Sequence, residues 1–297
     1  MKIIMKFGGS VIDDPLKIKR IVEIIESFKN TPDGKNDIIC VVSALSKVTD
    51  KIISLADLII KGNRNSIKNF VEEMQSDHIQ LIENTITNEI LQLEAKNIVK
   101  NITKEFQDIL NGLALISEIT PRSLDHILSF GERMMAPIIS YSFRNSDLKS
   151  DYFTGKDIGI MTDSNFGEAR PLMDTTKLRI NSKITLLLQQ DIIPVITGFI
   201  AADQHGRITT LGRSGSDYTA TIIASCIQAD EVYLWSDVDG LLTADPMIVN
   251  NAQILEEISF AEAAEMVLFG AKYIHPRALE PVMDSNIPLK IRNALNL

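Results

Sequence analysis

T-G-F-I at residues 197–200, T-T-L-G-R-S-G-S-D-Y-T-A at 209–220, W-S-D-V-D-G-L-L-T-A-D-P at 235–246 and F-G-A-K-Y-I-H-P at 269–276 share one feature. In each, glycines and small hydroxyls take over where an apolar run ends. A parallel sheet presents its ligand-binding edge at such points, where strands stop and the backbone must come close to a ligand. The spacing predicts an α/β chain with a mostly parallel central sheet.

Working outward, residues 2–7 (K-I-I-M-K-F) read as a buried strand that stops at Gly8-Gly9. Asp14-Pro15 offers an N-cap followed by proline at the first helical position. Ile18, Ile21, Val22, Ile25 and Phe28 follow at helical spacing. D-I-I-C-V-V-S at 37–43 is a second buried strand, so the chain opens as a strand–helix–strand crossover unit. Residues 48–113 read as a helical insertion or lid. One long helix is expected over 121–143, short strands at 151–153 and 158–161, a helix over 175–189 and a strand at 192–197. Then come a helix capped by Ser216, a strand at 231–235, helices from Phe260 and after Pro276, and a strand at 289–292. No repeat or low-complexity linker interrupts this order. It implies a single domain over 1–297 with two lobes, about 1–205 and 206–297, and a cleft between them.

Composition narrows the function classes. The 297 residues are 45% hydrophobic and 23% charged, ordinary for a globular chain. No apolar run reaches the roughly 18 residues that span a bilayer, and the start lacks a signal-peptide pattern. Cys40 and Cys226 sit in apolar runs without a CxxC partner, which implies reduced thiols and a cytoplasmic setting. The four histidines are too scattered for a zinc site. A net charge of −9 argues against a nucleic-acid partner. It leaves ATP open, because a nucleotide needs only local cations and backbone N–H groups.

Several residues have chemistry to offer. Gly8 and Gly9 let the backbone approach a ligand, and Lys6 stands at the same strand end, although a lysine beside a Gly-Gly turn is also an ordinary strand terminus. No Walker A loop occurs. S-A-L-S-K-V-T at 43–49 puts small hydroxyls at a strand terminus, as many capped turns do. In S-F-G-E-R at 129–133, Glu132 taken alone reads as a solvated helix face. Arg213 has the shape for bidentate carboxylate binding. Arg170, in T-D-S-N-F-G-E-A-R at 162–170, reads as a partner in a structural salt bridge, with an approach to substrate as the alternative, and His275 reads as structural.

Together these segments resemble the aspartokinases, members of the amino acid kinase family. The resemblance covers nearly the whole chain and is strongest over 197–293. It implies a three-layer αβα fold, with the N-terminal lobe holding the acceptor and the C-terminal lobe the nucleotide. K-F-G-G-S is similar to the family's K-F-G-G-T-S, with Val11 in place of the second hydroxyl. That match implies that Lys6 meets the transferred phosphoryl group and that Gly8, Gly9 and Ser10 cradle phosphates. Ser43, Thr49, Gly198, Phe199 and Ser216 would line the amino acid site. Glu132 would bind the substrate ammonium and Arg213 its carboxylate, while Asp217 orients the catalytic lysines. Ser214 stands where the family usually has glycine, which reshapes the acceptor pocket. Ser236, Asp237, Asp245 and Pro246 would embrace the nucleotide. Leu242 and Met247 replace a tyrosine and an arginine that usually touch it. Lys272 matches a lysine near the phosphates.

The implied reaction is MgATP plus L-aspartate giving ADP and 4-phospho-L-aspartate, the first step toward lysine, threonine and methionine. Aspartate's carboxylate is ionised at neutral pH and needs no general base. It needs charge neutralisation, which two lysines, N–H groups and Mg²⁺ supply. No metal-binding carboxylate cluster is evident, so Mg²⁺ would rest on phosphates, water and Asp217. The resemblance further implies a homodimer, and a kinase domain without the regulatory ACT domains that follow it in typical aspartokinases. A kinase of the same fold acting on homoserine, with Asp217 as base, and a non-catalytic nucleotide or amino-acid sensor are the alternatives.

Overall fold

Both faces of the strand Lys2–Phe7 (β1) are covered, which is why its sequence is apolar without a polar alternation. The computed structural model describes residues 1–297 apart from 33, 245–248, 250, 269–274 and 297. After β1 a 3₁₀ turn at Gly9–Val11 leads into helix Pro15–Lys29 (α1). As the sequence implies, the Asp14 side chain accepts from the Leu16 amide and Pro15 opens the helix. The two-residue strands Asn30–Thr31 (β2) and Gly34–Lys35 (β3) form a hairpin before Asp37–Val42 (β4). The helical insertion is Val48–Ile60 (α2), Arg64–Thr85 (α3) and Glu89–Ile116 (α4).

Next come Pro121–Leu128 (α5), Phe130–Asn145 (α6), Ser150–Phe153 (β5), Gly155–Ile158 (α7) and Met161–Thr162 (β6). Two expectations are corrected here. The long helix over 121–143 is two helices that meet at Ser129, whose hydroxyl donates to the His126 carbonyl at 2.6 Å. Ile158 ends a one-turn helix rather than opening a strand; the Thr154–Asp157 capping box forms that turn.

Met173–Gln189 (α8) and Ile193–Thr197 (β7) agree with the sequence reading. Ile200–Asp203 (β8) and Ile208–Thr210 (β9) form an antiparallel pair that the sequence did not signal. Gly215–Ile227 (α9), Glu231–Ser236 (β10), Phe260–Leu268 (α10), Pro276–Ser285 (α11) and Leu289–Asn293 (β11) complete the order.

The central sheet runs β11-β10-β1-β4-β7-β5, and every neighbouring pair is parallel. Phe7 pairs with Val42 and Trp235, and Val42 with Thr197. The four central strands therefore end along one edge. Strand periodicity splits the core. Ile3, Met5 and Phe7 pack with α1, α3, α4 and α6 on one face, and Ile4 packs with α8, α9 and α11 on the other. Lys6 lies in register with Ile4, so it reaches the edge on the α9 side. A third cluster fills the insertion, from Ile52 and Ile59 to Phe106 and Phe130. Cys40 and Cys226 are buried free thiols, and burial pushes Cys226 up to about 12. Among the described residues no helix is long and apolar enough to cross a membrane.

Candidate active site

The sheet edge gathers its polar residues around one ion pair. Lys6 Nζ, near the end of β1, lies 2.6 Å from Asp217 Oδ1 in the first turn of α9, and both side chains are largely shielded. The first amides of a helix have no intrahelical partner, so α9 brings free N–H donors to the same place. The sequence reading made Ser216 the cap of this helix. The structure corrects that: the cap position is Ser214, in the left-handed region at φ 52°, and no side chain caps the helix. The Ser216 hydroxyl instead donates to Ser43 Oγ at 3.4 Å, joining α9 to the end of β4.

Close backbone approaches explain the glycines. A Cβ on Gly9 would sit 2.8 Å from the Ala44 carbonyl oxygen, so the Gly8–Ser10 turn and the loop after Ser43 are pressed together. A Cβ on Gly198 would meet Ser216 at 2.5 Å. Phe199 follows at φ 67°, held there by its amide donating to Thr219 Oγ1 at 2.9 Å. The Gly8 amide donates to the Trp235 carbonyl at 3.1 Å, and Ser10's carbonyl accepts from Lys17 Nζ at 2.7 Å. Thr49 lies half-buried in the first turn of α2.

Glu132 is not a solvated helix residue. It is buried at the start of α6, and its Oε2 has no hydrogen-bond partner. Burial pushes its carboxyl up to about 8, against the opposing pull of its own amide, the Ala44 amide and the Lys6 charge. An unpartnered carboxylate oxygen in a buried place is costly unless something binds it. Gly131 shows how tightly α6 is seated there, since a Cβ on it would lie 2.7 Å from Ala44 Cβ.

Arg213 stands exposed on the loop before α9, with no ion pair among the described residues. Arg170 is also exposed, and among the described residues it makes no salt bridge of the kind expected for it. His275 caps α11, its Nδ1 accepting from the Arg277 amide at 3.3 Å, a structural role as anticipated.

At the neighbouring strand end, the Ser236 hydroxyl donates to Asp237 Oδ1 at 3.0 Å. Asn293 Nδ2 donates to Asp239 Oδ1 at 2.8 Å, tying β11 to this loop. Leu242 is half-buried and bridges to Ile254. Asp245, Pro246, Met247 and Lys272 lie outside the described residues.

The fold thus brings Lys6, Gly8, Gly9, Ser43, Glu132, Gly198, Phe199, Ser216 and Asp217 to one end of the central strands. Ser10, Thr49 and Arg213 border it, and Ser236, Asp237 and Leu242 flank it on the β10 side. Sequence reasoning missed Asp125. This buried carboxylate accepts from Thr210 Oγ1 at 2.7 Å, from the Thr210 amide at 2.9 Å and from the Gly167 amide at 3.0 Å. Its only sequence signal is its place on the same helical face as buried Leu128. A separate open groove of about 340 Å³ lies between α4, α6 and the end of β5, lined by Asn101, Arg133, Tyr152 and Asp157. Its Arg133 is already paired with Glu105, and neither Lys6 nor Asp217 reaches it.

Known proteins share this arrangement of elements. The chain is 31% identical over 294 residues to aspartokinase 2, chloroplastic, of Arabidopsis thaliana, covering 99% of this chain and 52% of that one. It is 33% identical over 288 residues to lysine-sensitive aspartokinase 3 of Escherichia coli, covering 97% of this chain and 60% of that one. The chain therefore spans about half to three fifths of these relatives' length. The crystal structure of E. coli aspartokinase III in complex with aspartate and ADP superposes with a TM-score of 0.84 at 27% identity, covering all of this chain and 62% of that one. Residues 1–293 match the amino acid kinase family throughout, from the Lys6 strand to the end of β11. The chain belongs to the amino acid kinase family.

Proposed function

We propose that this chain transfers the γ-phosphoryl group of ATP to the side-chain carboxylate of L-aspartate. The observation that carries the reading is Glu132: a buried carboxylate with an unpartnered oxygen, close enough to feel the Lys6 charge. It is suited to take an ammonium group at the acceptor's far end. Arg213, exposed and without an ion pair among the described residues, would take the α-carboxylate. The acceptor's side-chain carboxylate would then point toward Lys6.

In the reaction, an ionised carboxylate oxygen bonds to the γ-phosphorus as the bond to the β–γ bridging oxygen breaks and ADP leaves. No proton has to move. The requirement is electrostatic, since an anion attacks a polyanion. Lys6 neutralises charge on the moving phosphoryl group, Asp217 holds Lys6 in place, and the amides of Gly9 and Ser10 and the first turn of α9 offer N–H donors. Mg²⁺ would be held mainly by phosphate oxygens, because the described residues contain no group of three metal-binding side chains. Lys272 would supply the second phosphate-facing charge, and the strand ends around Ser236 and Asp237 the nucleotide side. Residues 1–205 would carry most of the acceptor site and 206–297 most of the nucleotide site, with Arg213 reaching the acceptor from the second lobe and Lys6 the phosphates from the first.

A hydroxyl acceptor such as homoserine would need a base. Asp217 is the candidate, but its Oδ1 is engaged by Lys6, which favours the carboxylate acceptor. ADP release measured with L-aspartate, L-homoserine, L-glutamate, acetylglutamate and L-serine tests the reading. Turnover should be highest with L-aspartate. Turnover with another member of the panel and none with L-aspartate would overturn it, and ATP binding without any turnover would favour a sensor.

A further inference from the structure

Asp125 lies outside the group of residues that ring Lys6, yet it is one of the best-satisfied carboxylates in the chain. It is 1% exposed and sits on α5, with three donors converging on it. Oδ2 accepts from the amides of Gly167 and Thr210, and Oδ1 from the Thr210 hydroxyl. Hydrogen bonds to a charged group are stronger than neutral ones, and shielding from water strengthens them further.

The two segments it grips converge on the acceptor side of the site. Thr210 ends β9, and Leu211, Gly212 and Arg213 follow directly. Gly167 belongs to the loop against Gly212: a Cβ on Gly212 would stand 3.3 Å from the Gly167 carbonyl oxygen. Gly212 itself has φ 76°, a conformation that suits glycine and fixes the direction in which the chain leaves β9. A further bond from the Ala169 amide to the Thr210 carbonyl, at 2.9 Å, closes the same unit. Arg277 Nη2 donates to the Glu168 and Ala169 carbonyls at its outer side. Arg213 is exposed and makes no ion pair among the described residues, so its aim depends on this backbone rather than on its own contacts.

We infer that Asp125 is a positioning residue for the acceptor: by clamping Thr210 and Gly167 it fixes the loop that presents Arg213. This rests on the reading of Arg213 as the acceptor's carboxylate ligand. It assigns a functional consequence to a residue that never touches substrate, and it makes the acceptor half of the site depend on α5, the short helix joining the insertion to α6.

The chemistry of the clamp separates two substitutions. Asp125→Ala removes every acceptor. Asp125→Asn keeps one oxygen for the two amides, and its NH₂ can donate to the Thr210 hydroxyl, which turns from donor to acceptor. The expected result is a rise in the acceptor KM on the order of tenfold to a hundredfold for Asp125→Ala, with the ATP KM within about twofold. Asp125→Asn should recover most of that loss. Equal rises in both KM values, or an Asn variant as impaired as Ala, would overturn the proposal. If Asp125→Ala does not fold, Thr210→Val carries the test: it removes only the hydroxyl bond and should raise the acceptor KM about threefold while sparing ATP, with no change counting against the clamp.

A second measurement is independent of turnover. Amide hydrogen exchange at Thr210 and Gly167 in the ligand-free protein should accelerate at least tenfold in Asp125→Ala and stay near wild type in Asp125→Asn. Unchanged protection in Asp125→Ala refutes the clamp itself. Accelerated exchange together with failure of the wild-type chain to use L-aspartate would leave the clamp standing and refute the acceptor assignment instead.

Discussion

Lys6 and Asp217 are 211 positions apart in the sequence and 2.6 Å apart in space. The contact exists because β1 is an interior strand and α9 packs across the face to which Lys6 points. Lys6→Ala and Asp217→Ala should each lower kcat by on the order of 10²–10³-fold, the cost of removing a group that stabilises developing charge. Because Asp217 is proposed to act by holding Lys6, the double variant should be little worse than either single one. Steady-state kinetics of the three variants checks this, and losses that multiply would mean the two residues act separately.

As the proposed ligand of the acceptor's ammonium group, Glu132 should give acceptor binding a pH dependence. Its carboxyl is raised to about 8 by burial, so in the empty site it holds its proton at pH 7. An ammonium ligand binds the ionised form. Affinity for L-aspartate should therefore rise with pH, approaching tenfold per unit well below pH 8, and level off above it. Calorimetry at pH 7 in buffers of different ionisation enthalpy should report proton release on binding. In Glu132→Gln both the pH slope and the proton release should vanish, with weaker binding throughout.

Arg213 is the exposed cation proposed for the same half-site. Arg213→Ala should raise the acceptor KM roughly tenfold to a hundredfold, the value of a charged hydrogen-bond pair, and leave the ATP KM within a few fold. If ATP binding suffers and acceptor binding does not, Arg213 belongs to the nucleotide.

Ser214 occupies the left-handed region, at φ 52° and ψ 28°, with no capping bond from its hydroxyl. Glycine takes that conformation without the Cβ penalty but loses more chain entropy on folding. The balance favours Ser214→Gly by about 0.5 kcal/mol, or a rise in Tm of just under about 1 °C, readable by calorimetry. A fall in Tm would show that the serine side chain stabilises the loop.

The sequence by itself determined the framework. K-I-I-M-K-F, D-I-I-C-V-V and the apolar runs near 193 and 231 had to be strands shielded on both faces, because no polar alternation gives them a wet side. Asp14-Pro15 had to open a helix, since capping and a fixed φ are local properties. Where apolar runs give way to glycine and hydroxyl residues, the sequence also marked the edge at which Lys6, Gly8, Ser43, Gly198 and Ser216 meet.

Only the tertiary structure decided the relations between those pieces. Strand order put Lys6 against Asp217, and nothing local to either residue encodes that distance. The break at Ser129 interrupts a segment whose periodicity reads as one helix. Ser216 looked like a cap because small hydroxyls often are, but the cap position lies two residues earlier, at Ser214, and Ser216 turns to Ser43 instead. Glu132 and Asp125 are both helix carboxylates, yet one is buried with a free oxygen and the other with three donors. The cost of burying a charge depends on partners that arrive from distant segments: Thr210 and Gly167 for Asp125, and, in the proposed reaction, the acceptor's ammonium group for Glu132. Local patterns carry propensity and burial; which groups satisfy one another is fixed only when the chain is packed.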